Sequence, residues 1–540
     1  MKNKFIYLSI VVAGLVSCEP EFENAVDANY TAGDADFSTY VALGNSLTAG
    51  YMDGTMYKSG QANSFPNILS QQFATVGGGA FTQPSFDDDV ENLGGIAGLA
   101  GTRLVINASV GAPQPITGSS TITLSPQATA FNNMGVPRAK TFHLLADGYG
   151  NLANLPLGLA NPYYVRHATS ATSTVLGDAV SLNPTFFTNW IGSNDVLSYS
   201  TSGGANSNGT AATDNNESGN INPATYGGND ITHTAVFANV YGTIVDQLTV
   251  NGAKGVVCTI PSVTSIPYFT TVPYAPLTAQ GIGKGLAPSD SSEATQLAYG
   301  TAAMNQLNTN LYNTLDAIFT GYGEPNRVNP LNPSTANPIL INDVDAADRT
   351  AQITGALTGT FGPTLAEELG TIFGKCRQTT ASDLIVLPAS SVIGTVNSSP
   401  SAPIAGLGIN KNGVSYPMAN KWVLTATESA KVASATASYN VSIKAIAASK
   451  NLAVADMNSI LNVLISGLRS VNGQVYTANY FSGSATESSV LFSLDGVHPN
   501  ARGYAVISNE IIKVINSYYH ANIPFVNPSY YPGIQIVATN

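Results

Sequence analysis

Tyr40-Val41-Ala42-Leu43-Gly44-Asn45-Ser46-Leu47-Thr48-Ala49-Gly50-Tyr51 is the stretch on which the reading of the fold turns. Val41, Ala42 and Leu43 form an apolar run that stops at Gly44, and a turn of small residues closed by Gly50 follows. A short apolar run bounded by turn residues predicts a buried strand of a parallel sheet. Ligands collect beyond the C-terminal ends of such strands, so the hydroxyl of Ser46 is placed at the functional edge. Taken alone, Ser46 reads equally well as the cap of the next helix. The rest of the chain decides between the two.

Further strand-like runs lie at residues 103–107, 186–191, 253–261 and 452–456. Helical spacing appears in Val236, Val240, Ile244, Val245 and Leu248, over residues 427–450, and in Val506, Ile507, Ile511, Val514 and Ile515. Strands alternating with helices mean βαβ units. The predicted fold is α/β, a three-layer parallel sheet flanked by helices with large insertions. One domain is expected over residues 37–520, with insertions at about 198–235 and 262–417 and a C-terminal extension at 521–540. Residues 198–228 are low-complexity Ser, Gly, Asn and Thr, which predicts a long flexible loop.

The chain of 540 residues is 44% hydrophobic but only 10% charged. It can bury a large core beneath a surface rich in hydroxyls and amides, as expected of an extracytoplasmic protein. Net charge is −12, and no block of Lys and Arg occurs. Phosphate backbones are bound largely through basic groups, so nucleic acid is excluded as a partner.

Lys2 and Lys4 precede an apolar run at residues 5–16 that is too short to span a bilayer. It ends in Leu15-Val16-Ser17-Cys18, which resembles the lipobox of bacterial lipoproteins. The resemblance implies a signal peptide at 1–17, lipidation of Cys18 and membrane attachment through that N-terminal anchor. Residues 18–36 then read as an acidic tether (Glu19, Glu21, Glu23, Asp27, Asp34, Asp36). Acidic residues just after the cysteine resemble surface-export signals, so the expected location is the outer membrane or cell surface of a Gram-negative bacterium. Cys258 and Cys376 allow one disulfide, and their spacing does not say whether they meet.

Serine hydrolysis needs a hydroxyl, a base, an acid to orient the base and donors for an oxyanion. Near the C-terminus, Asp495-Gly496-Val497-His498-Pro499 follows a strand-like run and precedes a helix. A carboxylate three residues before a histidine, in an irregular turn, can fix the imidazole tautomer.

With Gly44-Asn45-Ser46, Gly192-Ser193-Asn194-Asp195 and Asp495-Gly496-Val497-His498 in this order, the chain resembles the SGNH, or GDSL-type, hydrolases. The resemblance implies an SGNH-hydrolase-like, flavodoxin-like sheet. It places the nucleophile on Ser46, the base on His498 and the orienting acid on Asp495. The oxyanion donors would be Ser46, Gly111 and Asn194. The first block departs from the family in carrying Asn45 where an aspartate is usual. In the second, a glycine one residue further on would be more typical than Gly111, and Ala112 stands there.

Gly227-Gly228-Asn229-Asp230-Ile231-Thr232-His233 repeats both short patterns inside the low-complexity loop. A catalytic amide must be held rigidly, which favours Asn194 over Asn229 and His498 over His233. Gly148-Tyr149-Gly150-Asn151-Leu152-Ala153 matches a loose dinucleotide fingerprint but follows no strand. No metal-ligand spacing occurs, so no cofactor is expected. The resemblance implies a lipid-anchored esterase or lipase acting on a small-molecule or polysaccharide ester. The competing expectation is a surface glycan- or protein-binding lipoprotein on the same fold with catalysis lost.

Overall fold

The computed structural model describes residues 29–289, 291–469, 474–476 and 490–538. Cys18, the expected signal peptide and the first part of the tether lie outside the described residues. The strands that place the site are β1 (Tyr40–Gly44), β2 (Leu104–Asn107), β3 (Ala112–Pro115), β4 (Asn133–Gly135), β5 (Phe186–Trp190), β6 (Lys254–Cys258), β7 (Ala453–Ala455) and β8 (Ile536–Val537). The helices are α1 (Ser46–Ala49), α2 (Phe65–Ala74), α3 (Asn194–Thr201), α4 (Thr234–Thr249), α5 (Ala426–Ser449), α6 (Met457–Ser466) and α7 (Ala501–Tyr518).

Five strands make the central sheet in the order β7-β6-β5-β1-β4, and every pairing in it is parallel. Strand residues alternate between the faces, and both faces are apolar. Val41, Leu43, Phe187 and Val257 pack on one side against Phe237, Tyr241 and Ile244 of α4 and Val432, Tyr439 and Ile443 of α5. Tyr40, Ala42, Phe186 and Val256 pack on the other against Phe65 and Phe73 of α2 and Tyr504, Ile511 and Ile515 of α7. Two-sided burial explains why these strands read as apolar stretches. Each fully buried large side chain contributes about 1.5–3 kcal/mol. After β1 the chain goes to β4 on one side and then returns to β5 on the other. That reversal opens a crevice at the carboxyl ends of β1 and β5, where doubly wound sheets hold ligands.

The sheet differs from expectation in one strand. Residues 103–107 form β2, which lies outside the central sheet: it pairs antiparallel with β3 and parallel with β8. The place beside β1 is taken by β4, in the register Ala42↔Asn133 to Gly44↔Gly135. Short and amide-rich, β4 is held by side chains as well as by its ladder. Asn132 Nδ2 donates to the Tyr40 carbonyl at 2.8 Å, and Asn133 Nδ2 to the Thr48 carbonyl at 3.0 Å. Gly135 is needed for close approach, since a Cβ there would stand 2.3 Å from the Ala49 nitrogen.

The expected tether docks before residue 37. Thr31 N–H donates to the Asn522 carbonyl and Asp34 N–H to the Tyr519 carbonyl, at 3.3 and 2.7 Å. The flexible loop expected at 198–228 is also pinned, with Ala205 and Asn215 buried and Asn215 N–H on the Ile231 carbonyl at 3.2 Å. The larger insertion has its own core, built on Met304, Tyr312, Phe319, Ile353 and Phe373. Cys258 and Cys376 are both buried and free.

Candidate active site

Ser46 opens α1 directly at the end of β1. The turn is set by Asn45, whose Oδ1 accepts the Leu47 N–H at 3.1 Å. An amide caps this helix as a carboxylate would, which accounts for Asn45 in the first block. His498 arrives from the far end of the chain, in the turn before α7. Asn500 caps α7 by accepting the Gly503 N–H at 2.9 Å and ties the turn down by donating to the Val490 carbonyl at 2.9 Å.

His498 Nε2 lies 2.9 Å from Ser46 Oγ, and His498 Nδ1 lies 2.9 Å from Asp495 Oδ2. Asp495 Oδ1 accepts the backbone N–H groups of Val497 and His498 at 2.8 and 2.9 Å. Burial raises the Asp495 pKa, but the imidazole of His498 and these hydrogen bonds outweigh it and hold the carboxyl at about 2. Asp495 therefore stays ionised and keeps the proton of a neutral imidazole on Nδ1, leaving Nε2 free to accept from the serine.

A strap from the loop after α1 supports this pair, and the sequence reading missed it. Gly54 N–H donates to Asp495 Oδ2 at 3.0 Å. Asp53 Oδ1 accepts the Leu494 N–H at 3.0 Å, and Asp53 N–H donates to Ser493 Oγ at 3.0 Å. The Tyr57 hydroxyl donates to Asp53 Oδ2 at 2.7 Å, and the Tyr51 ring packs 4.6 Å from the His498 ring. The visible signal was the turn pair Asp53-Gly54, which carries no mark of long-range contact.

Burial pushes the Asp53 carboxyl up to about 6 despite hydrogen bonds from Leu494 and Tyr57 that lower it, with the Asp495 charge adding to the rise. The folded protein thus holds this proton more tightly than the unfolded chain. On this account stability is lost as pH rises from about 4 to 6, by about 2–3 kcal/mol at full ionisation. Asp53→Asn keeps the acceptor for Leu494 and removes the buried charge. Relative to wild type, the variant should gain stability between pH 4 and pH 7 by up to about 3 kcal/mol, as read by urea unfolding. A difference that stays constant over that range counts against a buried ionisable Asp53.

Asn194 begins α3 just beyond β5. Gly192, at φ 117°, makes the bend possible, since a Cβ there would meet Ile260 and Phe237 at 2.8 Å. Asn194 Nδ2 donates to the Ala139 carbonyl at 2.9 Å. Its neighbour Asp195 is buried and accepts from the Thr141 N–H and hydroxyl at 2.9 and 2.8 Å. Together they bind α3 to the turn after β4.

The turn after β4, not the one after β2, meets the site. Val136 N–H donates to the Gly44 carbonyl at 3.0 Å, and Ala139 N–H closes the turn on the Val136 carbonyl at 3.1 Å. Pro137 has no N–H. Among the described residues, Arg138 N–H has no acceptor, and Arg138 holds a left-handed φ of 66°. Gly111, expected to donate to the oxyanion, has its N–H committed elsewhere. It sits exposed in the β2–β3 hairpin turn, and its N–H is engaged by the Asn107 carbonyl at 2.7 Å.

The repeated short motifs have ordinary structural roles. Asn229 Nδ2 donates to the Ala205 carbonyl at 2.7 Å, and His233 Nδ1 caps α4 by accepting the Ala235 N–H at 3.1 Å. His143 and His167 are core groups, held neutral by burial that pushes each pKa down to about 3. Among the described residues, no group of three or more His, Cys, Asp or Glu could hold a metal ion.

Beside Ser46 and His498 a cavity opens between α6 and α7. It is lined by Leu197, Met457, Leu461, Leu464, Phe492 and Val506. Ser193, Pro261 and Met457 also line it, so it lies over the carboxyl ends of β5, β6 and β7. The arrangement provides a hydroxyl with a base on it, a base with an anchored carboxylate, and an apolar chamber next to both. Comparison with family models, curated proteins and solved structures finds no match to this chain.

Proposed function

We propose that the chain is a carboxylic ester hydrolase of the SGNH, or GDSL-type, class. The observation that carries this reading is the Ser46–His498–Asp495 relay. Two contacts of 2.9 Å join residues up to 452 positions apart at the ligand edge of the sheet.

Ser46 Oγ attacks the ester carbonyl carbon while its proton passes to His498 Nε2. The imidazolium is stabilised by Asp495. The tetrahedral oxyanion accepts hydrogen bonds from Ser46 N–H, Arg138 N–H and Asn194 Nδ2. His498 then returns the proton to the leaving alcohol as the C–O bond breaks, which leaves the acyl group on Ser46. Water enters, gives a proton to His498 and attacks the acyl carbon. Collapse releases the carboxylic acid, and Ser46 regains its proton. The Arg138 amide takes the part expected of Gly111, because it is the free N–H in the turn tied to β1 and to Asn194.

A fluorophosphonate probe tests the reading. It should label wild type and leave Ser46→Ala unmodified. A folded wild-type protein that stays unlabelled, or a variant that is labelled as well, removes Ser46 as nucleophile.

The N-terminal anchor belongs to the same proposal. The lipobox-like stretch supports it, and among the described residues no helix is long and apolar enough to cross a membrane. Cys18→Ala should move the protein from the membrane fraction to the soluble fraction with hydrolysis of a soluble ester unchanged. Retention in the membrane fraction rules out lipidation of Cys18 as the anchor.

A further inference from the structure

The carboxyl edge of the sheet is asymmetric about Ser46. On one side, over β5, β6 and β7, lies the apolar cavity between α6 and α7. On the other side, after β4, stands Arg138, an exposed side chain on a turn pinned at both ends. Val136 N–H is bonded to the Gly44 carbonyl, two residues from Ser46, and the Ala139 carbonyl accepts from Asn194 Nδ2. Among the described residues no carboxylate lies within ion-pair distance of Arg138. Its guanidinium is hydrogen-bonded to the Tyr51 phenol, and its charge also acts on the phenols of Tyr149 and Tyr163. Tyr51 in turn packs against the His498 ring at 4.6 Å.

This residue is costly to place. A left-handed φ of 66° disfavours a long L side chain, and glycine would remove the strain. The chain has only 21 Lys and Arg against 33 Asp and Glu, so a guanidinium with no carboxylate partner among the described residues stands out from its surroundings. A guanidinium offers a planar fork of donors suited to carboxylate and phosphate oxygens.

We propose that Arg138 is a specificity-determining residue that binds an anionic group, phosphate or carboxylate, on the alcohol part of an ester whose acyl chain fills the cavity between α6 and α7. The inference rests on the ester-hydrolase reading and adds the substrate class: an amphiphile with an apolar acyl chain and a negatively charged alcohol. The carbonyl carbon sits at Ser46, the chain runs over β5–β7, and the charged group lies over β4. The Tyr51 hydroxyl on that side is already committed to the Gly54 carbonyl, so the anion's oxygens fall to the guanidinium.

The test compares three dodecanoyl esters, of glycerol, glycerol 3-phosphate and glyceric acid, in wild type, Arg138→Gln and Arg138→Gly. The glycine variant suits the left-handed backbone, so it guards against misfolding. Wild type should favour at least one anionic ester over the neutral one by about tenfold or more in kcat/KM, the worth of one charge-assisted hydrogen bond. Both variants should bring that ratio close to one, and added salt should lower it in wild type alone. A purely structural arginine would change all three esters alike and leave the ratio in place. A wild type that hydrolyses all three with no anionic preference, or a preference that survives in both variants, overturns the proposal and leaves the hydrolase reading standing. Equal kcat/KM for acetyl and dodecanoyl esters overturns the acyl assignment. Absence of both hydrolysis and fluorophosphonate labelling overturns the hydrolase reading, and this inference with it.

Discussion

Ser46→Ala and His498→Ala are each expected to lower kcat by about 10⁴–10⁶, with the double variant no worse than either single one. The reason is geometric. The 2.9 Å contact between His498 Nε2 and Ser46 Oγ makes each group useless without the other. Asp495→Asn should cost somewhat less, since the hydroxyl and base remain and only the tautomer and the imidazolium suffer. Folding should survive the serine change, because Ser46 Oγ is bonded to His498 rather than to the framework. The measurement is steady-state hydrolysis of a soluble aryl ester, with circular dichroism to verify the fold. A single variant that retains more than a few per cent of wild-type kcat, or a double variant clearly worse than both singles, sinks the relay.

The second large effect belongs to Asn194. Removing one oxyanion donor typically costs about a hundred- to a thousandfold in kcat, roughly 3–4 kcal/mol, with KM little changed. Asn194→Ala should show that split. The structure adds a second reason, since Asn194 Nδ2 also holds the Ala139 carbonyl at 2.9 Å. Its loss loosens the turn that carries the Arg138 amide, so two donors are affected at once. Asn194→Asp should be at least as damaging: a carboxylate cannot donate, and it would face both the oxyanion and a backbone carbonyl. Near-normal kcat in Asn194→Asp would return Asn194 to the role of a turn residue, where Asp is an acceptable substitute.

Much of this fold was legible because its sheet is buried on both sides. β1 and β7 are apolar runs, and β5 and β6 carry apolar pairs in Phe186-Phe187 and Val256-Val257, signals visible without any partner in view. β4 was not legible, because Met134 alone between Asn133 and Gly135 makes no apolar run. Its stability comes from side-chain amides reaching Tyr40 and Thr48, contacts that only the folded chain reveals. β2 has the composition of a buried strand, yet its partners are a hairpin strand and the C-terminal segment. Gly111 came from the family's second block, in the segment that follows β2.

At the site, Ser46, Asn194, Asp495 and His498 each sit in a local pattern of a few residues, and that locality made them readable. The amide proposed as the further oxyanion donor lies in a turn where arginine occupies a left-handed position that glycine would suit better. Residue type alone pointed elsewhere. The strap of Asp53 and Gly54 on the histidine loop is likewise a contact across the whole chain, invisible to any short pattern.

α7 starts beside His498 and runs for 18 residues, about 27 Å, to the opposite rim of the sheet. There Tyr519 meets Gly255 near the start of β6, and Asp34 meets Tyr519 and His520. The described chain therefore enters the domain at the pole farthest from Ser46. On the proposed reading, a lipid on Cys18 would tether the chain through the segment that leads into this rim, with Ser46 on the opposite one.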